Sequence, residues 1–119
     1  MRTSNRKINK TLYNELKRVF IQLIADLKTP GEVDMFLKDF FTNIEYETFS
    51  KRIAIAYWLK KGRTYDNIKN NLKVSSATVS FIQSMMEKEG FKLALQKIEA
   101  EEWATKWADR IQKFVGKKK

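Results

Sequence analysis

Residues 64–84, TYDNIKNNLKVSSATVSFIQS, predict two short helices joined by a tight turn, and this pair is the most informative part of the sequence about the fold. Thr64 can cap the first helix and either Ser75 or Ser76 the second, since their hydroxyl groups accept hydrogen bonds from backbone N–H groups of a first helical turn. Apolar residues recur at helical spacing in both segments, which predicts that the two helices pack against each other. The apolar positions between them are Ile68, Leu72, Val74, Val79 and Ile82.

Small side chains crowd the start of the second predicted helix, at Ser75, Ser76, Ala77, Thr78 and Ser80. A helix with such a face can approach the base edges in a major groove about 12 Å wide, and the free N–H groups of its first turn can contact a phosphate. The segment therefore predicts a DNA-binding helix-turn-helix. It departs from the usual pattern at Lys73, where many such turns have glycine, and at Lys69, where a small residue is usual. An ordinary helical hairpin with a serine-rich cap remains the alternative.

The remainder of the chain is also predicted to be helical. Residues 8–27 carry apolar residues at steps of three and four, which is typical of an amphipathic helix. The pairs Thr29–Glu32 and Thr42–Glu45 are capping boxes that open a second and a third helix, and Gly62 ends the third. We therefore expect one all-α domain over residues 1–119, with about six helices, the helix-turn-helix at 64–84, flanking helices for dimerisation and a basic tail at 116–119.

The last helical stretch has apolar residues on two opposite faces. At about 100° per residue, a first set shares one face and a second set lies nearly opposite. The first set is Phe91, Leu95 and Ile98, and the second is Trp103, Trp107, Ile111 and Phe114. Two interpretations stay open: the helix breaks near residues 99–102, or it packs against two different surfaces, one of which a partner subunit could supply.

The composition disfavours an enzyme. The 119 residues include neither histidine nor cysteine, so there is no imidazole base, no thiolate nucleophile, no disulfide and no ordinary zinc site. The acidic pairs in the sequence lie where helix caps or solvent-exposed faces explain them. We expect no catalytic residues, no metal and no cofactor.

The positive charge is concentrated in the middle of the chain. The formal net charge is +10, and residues 48–86 hold seven Lys or Arg against one acidic residue. Such an excess suits a phosphate backbone or an acidic surface, although charge alone does not separate DNA from RNA or anionic lipid. The longest strictly apolar run, at 53–59, is far shorter than the ~20 residues that span a bilayer, and no signal peptide is recognisable at the N-terminus. We expect a soluble cytoplasmic protein.

Five motifs between Phe36 and Ser84 carry a family resemblance. They are Phe40-Phe41-Thr42 followed by Glu45, Lys51-Arg52-Ile53-Ala54-Ile55-Ala56, Leu59-Lys60-Lys61-Gly62, Thr64-Tyr65-Asp66-Asn67-Ile68 and Leu72-Lys73-Val74-Ser75-Ser76-Ala77-Thr78-Val79-Ser80. Together they resemble the Trp repressor superfamily, in particular its shorter YerC-like branch. The resemblance implies a Trp-repressor-like helical domain in an intertwined, two-fold symmetric homodimer, whose outer helices form a shared core. It also implies a transcriptional regulator whose two hairpins enter successive major grooves of double-stranded DNA, about one turn apart.

Position by position, the resemblance implies a set of DNA contacts. Groove contacts fall on Lys69, Ser76, Ala77 and Ser80, and phosphate contacts on Lys73, Ser75 and Thr78. Arg63 joins this set on its charge alone. Because serine and alanine make few bidentate contacts with bases, recognition is expected to depend on water and on DNA shape.

The resemblance further implies a co-repressor pocket for tryptophan, from which this chain departs. Thr42 and Arg52 match positions that contact the ligand, but Phe81 stands where an arginine holds the ligand carboxylate, and Ile82 where glycine is usual. A carboxylate would lose its charged partner and apolar side chains would crowd its site, which predicts no response to tryptophan. We hypothesise that Phe81 fills this degenerate pocket; the alternative is that Phe81 is a core or partly exposed residue.

Two other functions compete with a sequence-specific regulator. One is a nucleoid-type protein that binds DNA without sequence preference. The other is a helical module for protein or RNA interaction, in which the hairpin is purely structural. Competition with unrelated DNA separates specific from non-specific binding, and an absence of DNA binding would favour the interaction module.

Overall fold

The computed structural model describes residues 7–116, with side chains at all of these positions except 107–109 and 112–116. This part of the chain contains six α-helices and no strand, which confirms the all-α prediction. The helices are α1 (Lys10–Asp26), α2 (Pro30–Phe40), α3 (Asn43–Lys60), α4 (Tyr65–Leu72), α5 (Ser76–Met85) and α6 (Glu89–Gly116). None of them is long and apolar enough to cross a membrane.

The chain divides into two compact units. The N-terminal unit, up to Tyr46, contains α1, α2 and the first turn of α3, and the C-terminal unit, from Glu47, contains the rest of α3 and the helices that follow. The single-domain organisation stays a prediction. So does the basic tail, since residues 117–119 lie outside the described residues.

Both capping boxes form at the predicted helix starts. The Thr29 hydroxyl accepts from the Glu32 N–H at 3.1 Å, while the Glu32 carboxylate accepts from the Lys28 N–H at 3.0 Å, one residue before the usual partner. At the start of α3, Thr42 and Glu45 exchange bonds of 2.8 and 3.0 Å. The Thr42 N–H donates to the Glu45 carboxylate and holds the pKa of Glu45 below its ordinary value. Each cap satisfies backbone donors that a helix start leaves unpaired.

Gly62 ends the α3 segment through a left-handed residue, as predicted. Its φ is +86°, a conformation that costs glycine little because it has no Cβ. The Gly62 N–H donates to the Leu59 carbonyl and the Arg63 N–H to the Trp58 carbonyl, both at 3.0 Å. This pair of bonds is a Schellman motif, which turns the chain towards α4.

A small apolar core fixes α4 and α5 in the C-terminal unit. Six residues from α3, α4, α5 and α6 are at most 2% exposed. They are Ile55, Ala56, Ile68, Val79, Ile82 and Leu95. Leu72 and Val74 are half-buried and pack against this core, so all five predicted apolar positions of the hairpin contribute to it.

Helix α6 runs without interruption through residues 99–102, so of the two interpretations that the sequence left open, a break of the helix does not occur. Leu95 is buried, whereas Trp103 is 63% exposed and Ile111 is 59% exposed. Ion pairs of Lys60 with Glu99 (3.1 Å) and of Lys61 with Glu102 (3.4 Å) connect the end of α3 to α6. These ion pairs lie where the apolar face changes side, and the two residues of the second face whose side chains the structure describes, Trp103 and Ile111, are exposed in the single chain.

The N-terminal unit buries little apolar surface by itself. Among its described residues, 7–46, none is buried. Aromatic rings of Phe20, Phe36 and Phe40 cluster, with Phe40 centred 5.6 Å from Phe20 and 5.0 Å from Phe36. Along α1, however, Leu16 is 54% and Val19 61% exposed. An apolar helix face this open is typical of a surface that another protein covers.

Lys73→Gly is expected to stabilise the protein. Lys73 is the one non-glycine residue with positive φ in the described chain, at φ 56° and ψ 54°. Its Cβ makes this conformation costly, while glycine adopts it freely but loses more backbone entropy on folding. We expect a net gain of about 0.5–1 kcal/mol, measured by thermal unfolding at a fixed protein concentration. Lys73→Ala removes the same charge but keeps the Cβ, so a glycine variant no more stable than the alanine variant contradicts this explanation.

Candidate nucleic-acid interface

Helices α4 and α5 form a helix-turn-helix with a three-residue connection. Thr64 caps α4, its hydroxyl accepting from the Asn67 N–H at 3.1 Å. At the other end, the Lys73 and Val74 N–H groups both donate to the Lys69 carbonyl, so the left-handed Lys73 closes the helix as glycine commonly does. Ile68 of α4 shares the core with Val79 and Ile82 of α5. This packing holds the two helices as one unit.

Ser75 is the cap of α5, which decides between the two serines that the sequence offered. Its hydroxyl accepts from the Thr78 N–H at 3.1 Å and lies 3.0 Å from the Thr78 hydroxyl. The first intrahelical bond runs from the Val79 N–H to the Ser75 carbonyl. The N–H groups of Ser76 and Ala77 precede that bond, and donors in this position can bind an anion.

The outer face of α5 is small and solvent-exposed. Val79 and Ile82 are buried, and the residues between and before them are exposed. The exposed positions predicted to contact DNA are Ser75, Ser76, Ala77, Thr78 and Ser80. Their short side chains allow another surface to come close to the α5 backbone.

Two lysines of the helix-turn-helix have no carboxylate partner within the described residues. Lys69 is half-buried near the end of α4, and Lys73 is exposed in the turn. The other lysines of the same basic segment are paired: Lys51 lies 3.5 Å from Glu47, and Lys60 and Lys61 form ion pairs with α6. The two arginines of the segment, Arg52 and Arg63, lie against aromatic rings. The lysines without a carboxylate partner therefore lie in α4 and the turn, next to the small-residue face of α5.

Arg63, which the sequence suggested only by its charge, is anchored by neighbouring side chains. Its guanidinium lies 3.9 Å from the centre of the Trp58 ring and donates a hydrogen bond of 3.3 Å to the Asn67 side chain. These contacts stabilise the α3–α4 connection. They also hold the positive charge of the Arg63 guanidinium near the start of α4.

An open cleft has a volume of about 620 Å³. Helix α3 forms one side of it, and the turn at residues 73–75 together with α5 forms the other. Arg52, Phe81 and Ile82 are among its lining residues, whereas Thr42 caps α3 in the N-terminal unit. Phe81 is 53% exposed, so its ring lines the cleft and does not fill it. The role of Phe81 in a degenerate ligand pocket stays a prediction.

Sequence reasoning missed several residues around this unit. Thr48 and Lys51 line the cleft from α3, and the Tyr65 hydroxyl donates to the Gln83 side chain, which links α4 to α5. For Thr48 and Lys51, the sequence offered one indication, namely that Lys51 is adjacent to Arg52, a residue already expected at the site. No pattern in the sequence identifies the Tyr65–Gln83 bond, because it joins residues on two helices whose relative rotation is set by packing.

Comparison with known proteins extends these observations. A family model described as Trp repressor protein matches residues 15–99, from within α1 to within α6. A curated relative, the uncharacterized protein YerC of Bacillus subtilis (strain 168), is 26% identical over 98 residues, which are 81% of this chain and 93% of the relative. No solved structure gives a significant match.

Proposed function

The chain belongs to the Trp repressor family, and from this premise we propose that it is a cytoplasmic, non-enzymatic transcriptional regulator that binds double-stranded DNA through α4 and α5. The observation that carries the proposal is the exposed small-residue face of α5, with an open N-terminus and two unpaired lysines beside it. A helix of this kind fits the major groove, and the lysines supply the charge that a phosphate backbone attracts.

The proposed contacts divide into two groups. Base edges are contacted by Lys69, Ser76, Ala77 and Ser80, and phosphates by Lys73, Ser75, Thr78 and Arg63. The capped start of α5 supports the second group, because its free N–H groups and the Lys73 ammonium can approach the same phosphate. Since the groove-facing side chains are mostly short, water and DNA shape contribute to recognition.

The regulator acts as a two-fold symmetric homodimer in this proposal. The apolar face of α1 supports it, because Leu16 and Val19 remain open in the single chain. A second copy supplies an apolar surface of the same composition, and two-fold symmetry lets each α1 cover the other. The two helix-turn-helix units then reach successive major grooves about one DNA turn apart.

Binding does not require tryptophan in this proposal. Phe81 offers no charge to a ligand carboxylate at the family position that would hold it, and Ile82 is part of the core. Arg52 remains at the cleft, but its guanidinium lies over the Phe49 ring at 5.4 Å. We therefore expect the same DNA affinity and the same melting temperature with and without millimolar L-tryptophan, since a ligand of the native state raises stability.

Selection from random duplex DNA at physiological salt tests the function, with sedimentation to determine the oligomeric state. We expect an enriched palindrome with half-sites about 10 bp apart, bound by a dimer. Salt-sensitive binding without enrichment would instead identify a nucleoid-type protein, a possibility that the short groove-facing side chains favour. An absence of binding to any duplex would contradict both DNA-binding functions.

Lys69→Ala and Ser80→Ala are each expected to weaken binding to the selected duplex by about 1–3 kcal/mol if the residue reads a base. Ser80 is exposed and Lys69 is half-buried, and neither belongs to the apolar core, so folding should be unchanged, as checked by circular dichroism. Lys97→Ala is the matched control, because it removes one exposed positive charge from α6. Affinities are measured in competition with unrelated DNA. Two variants that bind as tightly as the control would exclude this face of α4 and α5 as the reading surface.

A further inference from the structure

Phe81 is an exception on the helix that the proposed function places in the major groove. Exposed residues of the first two turns of α5 are otherwise small, at Ser76, Ala77, Thr78 and Ser80. Phe81 leaves 53% of its surface open to solvent. Core packing does not require this ring, since Val79 and Ile82 on either side of it supply the buried contacts of α5.

Ala77 and Phe81 form one apolar edge of α5. They are four residues apart and therefore neighbours on the same side of the helix, and both line the cleft beside α3. Arg52 and Lys73 line the same cleft. The apolar edge is thus bordered by positive charge, so a polyanion is attracted to it although the ring itself is neutral.

In the major groove, an apolar side chain distinguishes one base by its chemistry. Thymine presents a methyl group there, whereas the edges of adenine, guanine and cytosine present hydrogen-bonding groups without one. A phenyl ring packed on a methyl removes apolar surface from water, while a ring packed on a polar edge leaves hydrogen-bonding groups without a partner.

We propose that Phe81, together with Ala77, reads the 5-methyl group of a thymine in each half-site, so that Phe81 determines part of the sequence specificity. The inference rests on the proposed DNA-binding function and specifies its base preference. In the family, the position of Phe81 holds the ligand carboxylate. In this chain, the same position would instead contact a base directly.

The test uses the duplex that the wild-type protein enriches from random DNA. Each thymine is replaced in turn by deoxyuridine, which removes only the methyl group. At one position of each half-site we expect about a fourfold loss of affinity per methyl, and about fifteenfold when both half-sites are changed. Phe81→Ala is expected to bind the thymine and uracil duplexes equally, and Phe81→Leu to keep part of the preference.

Leu93→Ala is the matched control, because Leu93 is an exposed apolar residue of α6 that is outside the cleft. It should keep the full wild-type discrimination between thymine and uracil. If wild type and Phe81→Ala discriminate equally between the thymine and uracil duplexes, the inference is overturned while the DNA-binding function stands. The same holds if no thymine of the selected duplex loses affinity when its methyl group is removed. Loss of the dimer in Phe81→Ala with unchanged discrimination would assign the ring to the subunit interface and overturns it too. If no sequence is enriched, the specific regulator itself fails, and the inference with it.

Discussion

Leu16→Glu is expected to convert the protein to monomers and to abolish specific DNA binding at concentrations where the wild type binds. Leu16 lies on the apolar face of α1 and is 54% exposed in the single chain. In a two-fold dimer each substitution occurs twice. Because about half of each Leu16 is still exposed in the single chain, losing the two leucines removes about 1.5–3 kcal/mol of the apolar burial that the dimer gains. Each glutamate also adds a charge that has no partner in an apolar interface.

The dimer dissociation constant is therefore expected to rise by at least about a thousandfold, which corresponds to about 4 kcal/mol. DNA affinity falls with it, because a monomer engages one half-site and loses the second, linked contact, typically worth a factor of about 10²–10⁴. Sedimentation measures the first effect, and titration of the selected duplex at a fixed low protein concentration measures the second.

Asn14→Glu is the charge-matched control. It adds the same negative charge to α1, at an exposed position on the opposite side of the helix from Leu16. We expect this variant to remain dimeric and to bind DNA, since no apolar area is lost. If both variants dissociate equally, net charge and not the apolar face controls assembly. If Leu16→Glu stays dimeric, a different surface holds the two copies together.

The helix starts and the hairpin core could be predicted from local sequence, because caps and apolar periodicity act over a few residues. The hydroxyl groups of the four predicted caps each accept from the backbone N–H three residues later, in the first turn of the helix; the caps are Thr29, Thr42, Thr64 and Ser75. At residues 99–102 the same rule left two interpretations open, a break of the helix or a second packing surface. The helix is continuous there, and the ion pairs of Lys60 and Lys61 with Glu99 and Glu102 could not be predicted because they depend on tertiary position.

The candidate site was less predictable than the fold, for a physical reason. The apolar periodicity placed Val79 and Ile82 correctly in the core, but it did not say where the neighbouring Phe81 would lie. Phe81 was expected in a pocket because of its chemistry and its family position. In the structure, Val79 and Ile82 occupy the buried side of α5, and the larger ring lies at the edge of the cleft. Arg63 illustrates the same limit, since its charge was visible but its contact with Trp58 was not.

Ile68→Ala is expected to destabilise the protein by about 2–5 kcal/mol, a large part of the roughly 5–15 kcal/mol that keeps such a domain folded. Ile68 lies on the side of α4 that faces the core and is fully buried there together with Val79 and Ile82 of α5. Truncation of its side chain therefore leaves a cavity in this core. The free energy of unfolding is measured by urea titration at a fixed protein concentration, with helix content as the signal. Ile68→Val removes one methylene and should cost about 0.5–1.5 kcal/mol.

Leu93→Ala, a truncation at an exposed position, is expected to change stability by no more than about 0.5 kcal/mol. If Ile68→Ala matched this control, α4 would not be anchored through its apolar side and the helix-turn-helix would lack the core described above.

DNA binding adds a second test, because α4 and the turn carry Lys69 and Lys73. Loosening Ile68 should weaken binding before the whole chain unfolds, with a loss that grows on warming. Lys69→Ala should instead lower affinity by a similar factor at every temperature below melting, since it removes a contact and leaves the core intact.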